Sequence, residues 1–229
     1  MDDFCVFILS YQRPDKVFTY DTLIKNGFTG KIFIIVDDND KYINEYYSKF
    51  KEKVIVFNKN NIKNDFDLMD NFDNYNCVVY ARNACWKIAE NLGIKYFLQL
   101  DDDYTRFAYK KNEKGENINA VTIKNLDNVF KFFLDFFKSI NAYSVAFSQF
   151  GDFIGGTKGN AVKNPRFRKC MNSFFCSKDR KFKFFGTLNE DVNVYTLYGS
   201  QGKLFLTLYD IALDQKTTQK NSGGLTDIY

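Results

Sequence analysis

Residues 95–103 read KYFLQLDDD, a short apolar run that ends in three consecutive carboxylates, Asp101, Asp102 and Asp103. A run of this length bounded by polar residues reads as a buried strand, here Lys95 to Leu100. Three adjacent carboxylates at a strand end repel one another, and a hard divalent cation, Mn2+ or Mg2+, relieves that repulsion while leaving coordination positions for phosphate oxygens. Alternate residues of an extended chain share a face, so Asp101 and Asp103 can point the same way. The other reading is a solvated acidic turn.

Outward from this stretch, the first half alternates strand and helix. Apolar runs at Phe4 to Ser10, Lys31 to Val36 and Val54 to Phe57 predict three further strands. Helices are expected over Pro14 to Asn26, Tyr42 to Phe50 and Val78 to Asn91, the last closed by Gly93 as a left-handed cap. Residues 58–76, rich in Asn and Asp, read as loop. This alternation implies one α/β domain over 1–229: a Rossmann-like, mostly parallel sheet flanked by helices, with ligands beyond the carboxyl ends of its strands. Polar clusters follow the first, second and fourth strands. The second half is less regular: a helix over Leu126 to Ile140, a strand over Ser144 to Phe150, a weakly periodic stretch from Gly151 to Lys183, a helix over Glu190 to Tyr198, a strand over Lys203 to Leu208, and a polar tail from Asp214.

Composition narrows the chemistry. The 229 residues contain no histidine, which excludes Ser-His-Asp and Cys-His nucleophilic machinery and leaves acid–base and metal work to carboxylates. Five scattered cysteines without a CxxC pair indicate neither a zinc ribbon nor a disulfide scaffold. The acidic start, Met1-Asp2-Asp3, lacks the basic region of a signal peptide, and no apolar run reaches spanning length, so a cytoplasmic chain without membrane contact is expected.

Five motifs in order, ILSYQRP (Ile8–Pro14), IVDDND (Ile35–Asp40), ARN (Ala81–Asn83), LDDD (Leu100–Asp103) and NED (Asn189–Asp191), resemble those of GT-A glycosyltransferases. The resemblance implies a nucleotide-sugar donor in residues 1–110 and an acceptor in 111–229. By position it assigns Ser10, Tyr11 and Arg13 to the nucleotide pocket, with Arg13 near the diphosphate. It assigns Asp37 and Asp38 to the uracil or ribose, and Arg82, Asp101 and Asp102 to the donor. Asp101 and Asp103 would hold Mn2+ or Mg2+, and Asp191, with Glu190 beside it, would be the base of an inverting transfer. Two of these positions have plain structural alternatives, Arg82 as an exposed helix residue and Asn189-Glu190-Asp191 as a helix cap. Many family members add a metal-ligating histidine near the C-terminus; here either carboxylates, diphosphate and water suffice, or a further segment supplies the ligand.

Between Thr157 and Lys183 nine basic residues face one Asp179, a local charge of +8 against +4 for the whole chain. Phe167, Phe174, Phe175 and Phe182 interleave with them, a pattern that suits a phosphate backbone and splayed bases, or else a solvated surface. The motifs QFGDFIGG (Gln149–Gly156) and SGGLTDIY (Ser222–Tyr229) look like those of phage TET/JBP-associated glycosyltransferases, related to the base-J glucosyltransferase. That likeness implies transfer of glucose from UDP-glucose to a 5-hydroxymethylpyrimidine in DNA, in the host cytoplasm if the chain is phage-encoded. Acceptor contacts are then expected from Gly155, Gly156, Lys163, Arg166, Arg168 and Lys169. A saccharide or protein acceptor, and a non-catalytic DNA-binding module, are the alternatives.

Overall fold

The computed structural model describes residues 1–70, 76–155, 159 and 169–216. The expected acceptor residues Gly156, Lys163, Arg166 and Arg168, Phe167 and the motif 222–229 lie outside the described residues. The strands are β1 (Phe4–Leu9), β2 (Lys31–Asp37), β3 (Val54–Phe57), β4 (Tyr96–Asp101), β5 (Tyr104–Lys111), β6 (Asn117–Thr122), β7 (Ala142–Gln149), β8 (Ser173–Ser177) and β9 (Leu204–Gln215). Helices α1 (Phe18–Lys25), α2 (Ile43–Phe50), α3 (Val79–Asn91), α4 (Leu126–Ser139) and α5 (Glu190–Ser200) flank them.

All nine strands form one sheet in the order β3-β2-β1-β4-β8-β7-β9-β5-β6. Its first four strands pair in parallel, as does β7 with β9. Antiparallel pairings join β4 to β8, β8 to β7, β9 to β5 and β5 to β6. Because β8 runs against both neighbours, β7 points the same way as β4, so both deliver their ends to one edge. Successive residues of β1 bury opposite faces: Val6 and Ile8 pack in one core with Leu23, Phe130 and Phe133, while Cys5 and Phe7 pack in the other with Val79, Trp86 and Phe97. Burial on both faces explains why these strands read as continuous apolar runs rather than alternating ones.

The expected α/β domain is therefore present, with local departures. A 3-10 turn at Pro14–Lys16 precedes α1, so the first helix is broken at Val17. The hairpin β5–β6 falls between the expected strand at 95–100 and the expected helix at 126–140, strand β8 falls in the stretch read as weakly periodic, and β9 continues to Gln215 through the beginning of the expected tail. β6 alternates between exposed and half-buried positions, so it carries almost no apolar signal. Gly93, at φ +67°, closes α3 in the left-handed conformation that a glycine adopts without strain.

Candidate active site

The carboxylate triplet begins with the last residue of β4, at the sheet edge where β1, β2 and β7 also end. Its backbone is clamped from α1. Thr19 Oγ1 donates to the Asp101 carbonyl at 2.6 Å and accepts from the Tyr104 N–H at 2.9 Å, while the Thr19 N–H donates to the Asp102 carbonyl at 3.1 Å. From the far side, the Lys216 N–H donates to the Asp103 carbonyl at 3.1 Å, bringing the end of β9 to the triplet.

The three carboxylates part in direction and partners. Asp101 is partly open, and its Oδ1 accepts from Arg82 Nη2 at 3.0 Å. Asp102 is 0% exposed, and its Oδ2 accepts from Ser10 Oγ at 2.6 Å and Arg13 Nε at 2.8 Å. Asp103 is buried, and its Oδ1, like that of Asp102, is unpartnered among the described residues. Burial, reinforced by the charges of Asp101 and Asp102, pushes the Asp103 carboxyl up to about 7. A buried carboxylate oxygen with no donor beside a partly open carboxylate fits a hard divalent cation, which would relieve both the lost solvation and the mutual repulsion. Asp101 and Asp103 could thus hold one, with diphosphate and water completing its shell. Among the described residues no three Asp, Glu or Cys side chains converge on one metal position.

Arg82 decides the geometry of the opposite wall. Far from being an exposed helix residue, it is 1% exposed, inside α3, between the rings of Phe174 and Phe184 at 5.1 and 5.6 Å. Its Nε donates to Glu190 Oε1 at 2.9 Å while Nη2 holds Asp101. One guanidinium therefore spans the LDDD and NED motifs. Burial opposes its charge, but Asp101 and Glu190 hold its pKa above the ordinary range. Asp191 is 6% exposed, and burial together with Glu190 raises its carboxyl to about 6. Its Oδ1 accepts from the Val192 N–H at 2.8 Å. Asn189 stands at the N-cap of α5 at φ +53° without a side-chain cap bond, and Glu190 and Asp191 lie in the first turn, where the helix dipole favours acidic residues.

The loop after β1 is held from several sides. Tyr46 Oη shares a 2.7 Å hydrogen bond with Ser10 Oγ and accepts from the Arg13 N–H at 3.0 Å. Gln12, in the left-handed region at φ +56°, donates its N–H to Asp40 Oδ2. Such strain in a non-glycine residue persists only where its surroundings over-determine it. Tyr11 Oη donates to Asn76 Oδ1 at 3.0 Å. Asp37 is buried: Oδ1 accepts from the Asn39 N–H at 2.8 Å and Oδ2 pairs with Lys59, whose ammonium lies 5.5 Å from the rings of both Tyr11 and Tyr80. Half-exposed Asp38 accepts from the Lys59 N–H at 3.3 Å. Lys59, Tyr46, Thr19 and Asp40 escape a motif-based reading. Asp40 stands within IVDDND, but the others have no local signal, because their partners are distant in sequence.

Within its described part, the expected aromatic–basic surface is corrected. Phe174, Phe175 and Phe182 are core residues, the first two on β8. Arg180 donates to the Phe137 and Ile140 carbonyls at the end of α4, Lys181 pairs with Glu90, and Lys183 reaches the Asp65 carbonyl. Lys169 pairs with Asp152, and Gly155 is at φ +89° after the turn that ends β7. The β8 phenylalanines are buried because β8 is an inner strand, covered on both faces.

Comparison with known proteins places this architecture. Three solved structures align over 93% of the chain. They are S. aureus TarS 1-349 (14% identity, TM-score 0.50), glucosyl-3-phosphoglycerate synthase from Mycobacterium tuberculosis in complex with Mg2+ and UDP (8%, 0.52), and mannosyltransferase PcManGT from Pyrobaculum calidifontis in complex with GDP-Man and Mn2+ (8%, 0.53). The chain spans 60%, 71% and 56% of these structures, respectively. At such identities the likeness is one of fold, and the fold is that of GT-A glycosyltransferases. No curated protein matches the chain in sequence. The sequence profile described as "TET-Associated Glycosyltransferase" matches residues 4–224, nearly the whole chain, and the protein belongs to that family of glycosyltransferases.

Proposed function

We propose that this glycosyltransferase moves a sugar, glucose from UDP-glucose, to the hydroxymethyl group of a 5-hydroxymethylpyrimidine in DNA, with inversion at the anomeric carbon. The observation that carries the reading is the chain Asp101–Arg82–Glu190, which ties the donor motif to the residue next to Asp191. Glu190 is spent on Arg82, leaving Asp191, raised to about 6, as the carboxylate suited to take the acceptor's proton near neutral pH. Arg13, beside the triplet, would meet the diphosphate; Tyr11 and the Asp37–Lys59 pair would border the nucleobase, with Asp38 toward the ribose. A divalent cation on Asp101 and Asp103 would supply charge stabilisation for the departing nucleoside diphosphate.

Three observations bear on the acceptor. The TET-associated family and the basic residues of 157–169 support DNA. A saccharide or protein acceptor is the second reading, favoured by the internal bonds that occupy Arg180, Lys181 and Lys183. Incubation with labelled UDP-glucose, Mn2+ and DNA containing hydroxymethylpyrimidines, followed by nucleoside mass spectrometry, separates them. A glycosylated nucleoside is expected; transfer to saccharides but not DNA would replace this reading with the second.

A further inference from the structure

The middle carboxylate of the triplet is built into the protein differently from its neighbours. Asp102 alone of the three is fully buried, and its Oδ2 takes hydrogen bonds from both Ser10 and Arg13, 92 and 89 positions away in sequence. Arg13 is the opposite case: its Nε is bound to Asp102 while a quarter of its side chain remains open. Tyr46 completes the arrangement, bonded to Ser10 Oγ and to the Arg13 N–H. Three segments, the turn after β1, α2 and the turn after β4, therefore meet around one carboxylate, and the only cation in the group keeps an open side.

We propose that Asp102 is a positioning residue rather than a donor contact: it aims the Arg13 guanidinium at the donor's diphosphate and fixes the loop after β1 to the metal-binding strand. The inference rests on the donor reading above. An arginine bound through Nε by a buried carboxylate loses little further freedom on meeting a second anion, and its two terminal nitrogens retain the fork that matches a phosphate. Without Asp102, the same guanidinium would pair with Asp101 or Asp103 and compete with the cation for them.

The test is calorimetry of UDP and uridine, with Mn2+ present, on wild type, Asp102→Asn, Arg13→Met and the double variant. Asp102→Asn keeps the shape but removes the charge that holds Arg13. Expected is a loss of UDP affinity of roughly tenfold or more in each single variant, little change for uridine, and no further loss in the double. Tyr46→Phe, which removes only the hydroxyl beneath Ser10 and Arg13, should give a smaller loss with the same preference for UDP, and stands in should Asp102→Asn not fold. Equal losses for UDP and uridine, or additive losses in the double variant, would overturn the positioning role while leaving the donor reading intact. Wild type that binds no UDP would overturn both.

Discussion

Arg82 donates through Nε to Glu190 Oε1 at 2.9 Å, joining two buried residues 108 positions apart in the chain. Its Nη2 simultaneously holds Asp101. Arg82→Met leaves Glu190 with an uncompensated charge inside the protein, and a loss of about 3–5 kcal/mol is expected from denaturant unfolding, as for other broken buried pairs. Arg82→Lys should recover little of it, because a single ammonium cannot reach both carboxylates in the fork geometry. Wild-type stability in the lysine variant would show that the bridge carries charge only.

Glu190 and Asp191 are neighbours with different surroundings, so their substitution should differ in kind. Asp191→Asn is expected to keep UDP affinity and lose on the order of 100-fold or more in kcat, since an amide cannot accept the acceptor's proton. Glu190→Gln should lower thermal stability by weakening the Arg82 bridge. A Glu190→Gln protein with intact stability and no turnover would exchange the two roles.

The pH profile follows from the same site. Burial and Glu190 raise the Asp191 carboxyl to about 6, and a base acts in its deprotonated form. The group is therefore charged and active above its raised pKa, and kcat/KM should fall about tenfold per pH unit below it. Residual activity of Asp191→Asn should lack that acidic limb. A flat profile between pH 5 and 8 in wild type would exclude Asp191 as the base.

UDP affinity should depend on a divalent cation. EDTA, or Asp103→Asn, should weaken UDP binding by roughly tenfold or more, because a cation held by Asp101 and Asp103 would link the carboxylates to the diphosphate. Uridine, which lacks the diphosphate, should be unaffected by either. Calorimetry checks both, and undiminished UDP affinity in EDTA would refute the metal link.

Binding to DNA should weaken with salt by nearly one log unit per log salt for each phosphate contact. Arg166→Ala with Arg168→Ala should lower that slope, whereas Lys181→Ala should not, since Lys181 pairs with Glu90 on the protein itself. Equal slopes in the double variant and wild type would remove this segment from the acceptor surface.

The sequence by itself determined the first half of the fold and the order of the motifs. β1 to β4 and α3 stand within a residue or two of their expected bounds, because burial on both faces of a strand and an apolar helix stripe are local properties written in consecutive residues. The outer hairpin β5–β6 lacked that signal, since its exposed edge needs few apolar residues. Only the tertiary structure decided which carboxylate does what. Asp101, Asp102 and Asp103 are chemically identical in sequence, yet one meets Arg82, one is sealed against Ser10 and Arg13, and the third is buried under the charges of the other two. The same holds for Arg82, whose burial depends on Glu190 and two phenylalanines brought in by α5, β8 and the segment between them. A side chain's ionisation and direction are set by charges and burial within a few ångströms, and in this fold those neighbours come from segments 19 to 108 residues away.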